Sequence, residues 1–340
     1  MNKLSPDQAK QYETLKRIKE DIESELLSRP GVRGVGVGFK NVKGKPTKQL
    51  AIRVYVTEKR DVADKESIPA TIGGVPTDVI EFNARRMSDK PPPRRPTTNE
   101  AVMLSDPDKA KYDPLVGGIS LGLSREVAGY MAPTGTMGLM VKDGYTDAPL
   151  MLSNYHVMCA NDGKAKIGDL LCQPSREDQW LDYCSDCAQL LRWVLEGDVK
   201  DSGISYGGVD SAVASLTHRT ASVGKIVEIG QITGTAAATL KMQVLKRGRT
   251  TKLTEGVVDD IDLTWSDDFG PPYGRVELKK QIMITPTTGK FMEDGDSGSV
   301  LVAKVGKQVV GLLWAGDDTS GRALANPIAA VIKALDIKIV

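Results

Sequence analysis

The chain has only two histidines, His156 and His218, so any chemistry that moves a proton through an imidazole has a short list of agents. His156 ends the apolar run "PLMLSNYHVM", where a strand gives way to a loop, while His218 lies in the polar "SLTHRTAS" and reads as a surface residue. Ser297 lies in "GDSGSVLV", directly before an apolar β-branched run. A serine hydroxyl attacks poorly at neutral pH unless a base takes its proton. The base in turn needs an acid to fix its tautomer. Asp210 opens "VDSAVASL", and a lone carboxylate leading a buried strand is costly without a partner, which makes it the best orienter. Asp198 and Asp201, in the polar "EGDVKDSG", are the alternatives. Acyl transfer also develops an anionic oxygen, which preorganised N–H groups stabilise. The backbone N–H groups of Gly295 and Ser297 can point to one spot, and Gly295 lacks the Cβ that would restrict it. Gly-Asp-Ser-Gly alone has the composition of an ordinary turn. Its weight comes from the order His156, Asp210, Ser297, with gaps of 54 and 87 residues, which is one of the three known linear orders for such a set.

These residues need strands to position them. From residue 115 onward short apolar segments alternate with Gly-rich turns, as in "GTMGLMV", "DSAVASL", "GVVDDIDLTW" and "QVVGLLWAG". The pattern predicts a mostly β region, with enough strands for two six-stranded barrels. "NPIAAVIKALDI" closes it with a short helix. Residues 5–28 read as a helix, capped by Ser5, with Pro6 at its first position and Gln8 completing a capping box. "VRGVGVGFK", "LAIRVYVTEK" and "VPTDVIEF" follow as strands. The expected division is a small α+β unit over 1–86, a Pro-rich linker over 87–114 and a β unit over 115–340. Arg94 and Arg95, inside the linker, are expected to be solvated.

Composition excludes several functions. Net charge is +1 with no basic block, so nucleic acid is not an expected partner. No apolar run reaches membrane-spanning length, and the polar N-terminus lacks a secretory core. A cytoplasmic location follows as the expectation, and free thiols with it. The four cysteines, Cys159, Cys172, Cys184 and Cys187, fall in one short segment. Cys184 and Cys187 have the spacing of a metal knuckle, so a structural zinc held by the four is the alternative to free or buried thiols. No cofactor is otherwise called for.

"LSNYHV", "VDSAVA" and "GDSGS", in that order across residues 115 to 335, resemble the trypsin-like (chymotrypsin-fold) serine peptidases. "KRGRTT", with "GVV" after it, resembles the branch of intracellular bacterial and plant narrow-leaf-type members, and the "GVGVGFK" to "GGVPTDV" module resembles the N-terminal unit of some bacterial ones. The resemblance implies a double β-barrel of chymotrypsin type and endopeptidase cleavage of a protein partner through an acyl-enzyme. His156 would be base and then acid, Asp210 the orienter and Ser297 the nucleophile. A substrate pocket would be walled by Phe291, Met292, Trp314, Ala315 and Gly316 and would favour small or apolar side chains. Three departures stand out. Val157 follows His156 where secreted relatives carry a bridged cysteine, Ser299 replaces a glycine, and Tyr155 replaces a small residue. Secreted relatives also pair a freshly cut N-terminus with the acid beside the nucleophile, here Asp296. "LVGGIS", from Leu115, resembles such a start, although it equally opens the first strand. The rival function is a catalytically silent trypsin-like fold kept as a protein-binding module.

Overall fold

Ser5 starts the first helix as its sequence specifies: its hydroxyl accepts from the Gln8 N–H at 3.2 Å, and the Gln8 side chain returns the bond at 3.2 Å. This helix, α1 (Pro6–Ser28), turns Tyr12, Leu15 and Leu26 inward. The computed structural model describes residues 4–42, 45–60, 67–86, 107–127, 130–132, 134–179 and 185–340. Most of the linker, including Arg94 and Arg95, lies outside these residues.

Under α1 lie β1 (Val32–Val42) and β2 (Lys45–Val56), paired antiparallel, with β3 (Val75–Glu81) parallel to β2. The sequence reads β1 as half-buried, yet most of it is fully buried. The reason is its free edge, which pairs with a strand more than 200 residues later (Gly34 opposite Trp265, Gly38 opposite Asp260). A two-residue strand, β4 (Arg85–Arg86), ends the described part of this unit.

The β region holds two curled sheets. The first contains β5 (Ile119–Leu123), β6 (Thr134–Met137), β7 (Leu139–Asp143), β8 (Pro149–Ser153), β9 (Leu170–Cys172), β10 (Asp186–Val194) and β11 (Ser211–Leu216). A single-turn helix, α2 (Tyr155–Met158), follows β8. The second sheet uses β12 (Gln243–Gly248), β13 (Lys252–Asp268), β14 (Arg275–Pro286), β15 (Val300–Ala303), β16 (Val309–Gly316) and β17 (Ala323–Pro327). These six run β12-β15-β16-β17-β14-β13, and β12 pairs again with β13, so the ring closes into a barrel. The helix α3 (Ile328–Leu335) and the strand β18 (Ile337–Lys338) return the chain to the first sheet, which runs β6-β5-β9-β10-β11-β8-β7-β18.

The mostly β class expected from the sequence holds. The N-terminal strands are not detached from it: β13 extends beyond the ring and carries β1, β2 and β3 as further strands of one sheet. Among the described residues no helix is long and apolar enough to cross a membrane.

Candidate active site

β8 and β11 are antiparallel neighbours, with Ser153 opposite Ala212. His156 leaves the end of β8 on α2, and Asp210 enters just before β11, so pairing alone brings both to one end of the sheet. Asp210 grips the histidine twice. One carboxylate oxygen accepts the His156 backbone N–H at 3.1 Å, and the other meets Nδ1 at 2.5 Å. Its own carbonyl accepts the amides of Asn154 (2.8 Å) and Asn326 (3.2 Å), which fix the backbone behind the carboxylate. Asp210 is fully buried and His156 is 1% exposed. With Nδ1 facing the carboxylate, Nε2 is left buried and without a hydrogen-bond partner among the described residues. Buried polar atoms are normally satisfied, so Nε2 is an exception that calls for a partner.

Ser297 stands in the turn between β14 and β15. Gly295 and Gly298 both have positive φ, +95° and +94°. At Gly298 a side chain is excluded twice over, since a Cβ there would overlap Ser153 Oγ and the Thr136 carbonyl. Thr136 on β6 holds the turn. Its hydroxyl donates to the Gly295 carbonyl at 2.7 Å and its N–H donates to the Ser297 carbonyl at 2.8 Å. Ser153, three residues before His156, donates to the Thr136 carbonyl at 2.7 Å. The Ser297 turn is thereby fastened to the segment that carries the histidine. With both carbonyls committed to Thr136, the N–H groups of Gly295 and Ser297 donate to no other group among the described residues. The Ser297 hydroxyl donates to the Trp314 carbonyl at 3.3 Å rather than to His156 Nε2. Resting geometries of this kind are commonly loose and tighten with substrate.

Asp296 is held from below. Its carboxylate accepts the N–H groups of Thr250 (2.8 Å), Thr251 (3.1 Å) and Glu293 (3.0 Å), and Lys246 Nζ lies 3.3 Å away. Lys246 and Asp296 are both fully buried. Burial pushes the Lys246 ammonium below its ordinary value, while Asp296 pulls the other way. Lys246 thus lies against Asp296, the residue that the resemblance would pair with a newly cut N-terminus at Leu115. Leu115 itself is buried and opens a strand, Leu115–Gly117. Lys246 is the buried charge at this turn that sequence reasoning passed over. Its signal was present in "KRGRTT", since Lys246, Thr250 and Thr251 of that motif all converge on Asp296.

The other expected residues fall as follows. Phe291 and Met292 are buried among Val258, Ile284 and Leu313 inside the closed barrel. Trp314 is buried and stacks on Phe269, centroids 6.2 Å apart. Ala315 and Gly316 pair with Arg86 and Arg85 of β4. Tyr155 is buried and meets Tyr273 edge-on at 5.4 Å. Ser299 donates to the Asp296 carbonyl at 2.6 Å. His218 is exposed, and Asp198 serves the 198–207 loop by accepting from Gly207 at 3.3 Å. Cys172 is disulfide-bonded, which corrects the expectation of free thiols and removes one ligand from the four-cysteine zinc alternative. Cys159 and Cys187 are free and buried. Cys184 lies outside the described residues. A large groove of about 1200 Å³ lies between α1 and α3, lined by Lys19, Glu23 and Ile328, away from Ser297.

No family model matches the chain, and no curated protein sequence matches it. Solved structures of similar fold include a Nocardiopsis protease, at 16% identity, 66% of this chain, 98% of that one and a TM-score of 0.46. Others are a Cellulomonas bogoriensis chymotrypsin, at 18%, 66%, 98% and 0.44, and a glutamic acid-specific serine protease, at 17%, 66%, 100% and 0.47. At these identities the likeness concerns the fold alone.

Proposed function

We infer that the chain is a serine endopeptidase, with residues 115–340 as its catalytic unit, 1–86 as an accessory α+β unit and 87–114 as the connection. The observation that carries this is the double grip of a fully buried Asp210 on His156, which leaves Nε2 buried and without a partner among the described residues, on a segment that Ser153 and Thr136 fasten to the Ser297 turn. In this reading Ser297 Oγ swings from the Trp314 carbonyl to Nε2, and His156 takes its proton as Oγ attacks a peptide carbonyl. Asp210 stabilises the imidazolium without itself taking the proton. The N–H groups of Gly295 and Ser297 receive the oxyanion. His156 then protonates the leaving amine, and water repeats the sequence to release the acyl group. The substrate is a protein or peptide, and no step needs a cofactor.

A second reading, a binding module without catalysis, is favoured by the Ser297 hydroxyl bonding to Trp314 and by the burial of both Ser297 and His156. A fluorophosphonate probe separates the two. Catalysis requires that wild type become labelled at Ser297, while Ser297→Ala and His156→Ala do not. Asp210→Asn is expected to lower the labelling rate by about 10⁴. A folded wild type that never labels establishes the binding-module reading instead.

A further inference from the structure

β16 is flanked unevenly. Along one side it pairs with β17 from Gly311 to Gly316. Along the other it pairs with β15 at Val309, Gly311 and Leu312, and Leu313 exchanges backbone bonds with Gly298 and Ser299. Beyond Leu313 β15 offers no partner, and that side of β16 would be an open edge, with unpaired N–H and C=O groups that template an added strand. β4 fills it: Arg86 pairs antiparallel with Ala315, and Arg85 with Gly316. The residue before Ala315 is Trp314, whose carbonyl accepts the Ser297 hydroxyl. The chain's own residues therefore lie where an extended peptide would have to lie to bring a bond to Ser297.

The side chains on this added strand are held by charge. Arg85 forks onto Asp294 (2.6 Å) and Asp318 (2.5 Å). Arg86 reaches Asp267 at 2.6 Å and the Asp268 carbonyl at 3.1 Å, with its guanidinium 4.4 Å from the Phe269 ring centroid. Phe269 stacks on Trp314, so the second arginine is tied to the same wall as the Ser297 contact. Asp294 precedes the Ser297 turn, Asp318 follows β16, and Asp267 to Phe269 end β13. Three separate segments thus place acceptors around one two-residue strand. Planar, bidentate recognition of this kind selects arginine over other side chains.

We propose that the open edge of β16 is a binding site for an extended peptide carrying two consecutive basic side chains, and that Arg85–Arg86 is its internal occupant. Strand addition supplies affinity through main-chain bonds, and the acidic positions supply selectivity. Incoming peptide competes with β4 for Ala315 and Gly316. This deepens the endopeptidase reading by naming the substrate class of the same cleft, and it rests on that reading only for the cleavage that follows binding.

The test uses full-length Ser297→Ala protein, so that nothing is cleaved, and a fluorescent Asn-Ala-Arg-Arg peptide read by anisotropy. Adding Arg85→Ala with Arg86→Ala is expected to tighten peptide binding by about tenfold or more, a Kd change that the removal of two charge-assisted contacts from the competitor readily supplies. A peptide with Glu at both basic positions is expected not to bind. In the protein that already carries Arg85→Ala and Arg86→Ala, adding Asp294→Asn with Asp318→Asn is expected to weaken the Arg peptide by about tenfold. Equal affinity with and without the internal arginines, or equal binding of the Arg and Glu peptides, overturns the proposal. Wild-type protein gives a readout that needs no variant to fold: hydrogen exchange at Ala315 and Gly316 is expected to be slow, and rapid exchange there removes the occupant. Because binding is read without catalysis, failure of labelling at Ser297 and failure here are separate outcomes.

Discussion

Asp296 and Lys246 form a pair of opposite charges with no solvent contact. Removing one partner of such a pair leaves an uncompensated buried charge, which typically costs about 3–5 kcal/mol. Lys246→Met is therefore expected to lower stability by that order and to loosen the turn that bears Gly295 and Ser297. Thermal unfolding would show the first effect and slower labelling of Ser297 the second; a Lys246→Met protein with wild-type values for both would remove the lysine from its assigned place. The thiols give another check at this scale. Burial pushes the Cys187 thiol up to about 12 and raises Cys159 as well. Alkylation of either in the folded chain at neutral pH is expected to be negligible, because the thiolate is the reactive form. A quick reaction at Cys159 or Cys187 in folded protein would contradict their burial. The residues most legible in the sequence are the three whose chemistry leaves a mark in composition: a histidine among two, an aspartate ahead of an apolar run and a serine in a Gly-rich turn. Lys246 is marked only by its place in the motif "KRGRTT". A lysine in an alternating strand reads as solvent-facing, and only the distant Asp296 makes it otherwise.

Among the elements, β1 carries glycine at every second position from Gly34 to Gly38, which the sequence shows as a strand without saying why. The reason is close approach. A Cβ on Gly36 would overlap the Asp260 carboxylate, and one on Gly38 would meet the Arg53 guanidinium at 2.6 Å. Gly36→Ala is expected to cost roughly 1–3 kcal/mol by overpacking, read as a lower unfolding midpoint; an unchanged midpoint would mean that β1 lies farther from β13. Asp260 accepts from Tyr55 Oη at 3.0 Å and from the Asp262 N–H at 3.0 Å. Burial raises its carboxyl from 3.8 to about 7, against the pull of Arg53. Between these values the folded chain holds a proton that the unfolded chain has released, so the contribution is full below the unfolded value and is lost as pH rises to about 7. Asn imitates the protonated form. The stability of Asp260→Asn relative to wild type should rise between about pH 4 and about pH 7 and level off above that in paired melting curves. A difference that stays level across that range would mean that Asp260 titrates as an ordinary carboxylate. Helix α1 was readable from its cap and period because those signals are local. The pairing of β1 with β13 was not, because nothing in either segment names a partner more than 200 residues away.

For the whole molecule, one core cluster joins residues from both sides of position 86. Tyr55, Ile80 and Phe82 share one cluster with Leu263, Trp265 and Trp314. Phe82 and Trp265 meet edge-on at 5.3 Å. Lys19 adds a buried bond to Thr264 at 2.7 Å, and Tyr12 one to Asp262 at 2.6 Å. Two units joined through that much shared interior should melt together. Calorimetry of the full chain is expected to give a single transition, and two well-separated transitions would show that the N-terminal unit and the barrel are independent. β3 ends at Glu81 and β4 starts at Arg85, so only residues 82–84 separate the shared sheet from the arginines. A leash that short keeps its end near the cleft at an effective concentration on the order of millimolar or higher. A free peptide in dilute solution meets that standing competition at every encounter. The proteins best placed to win are those delivered in high local abundance, or those that first grip the molecule elsewhere and so arrive already tethered.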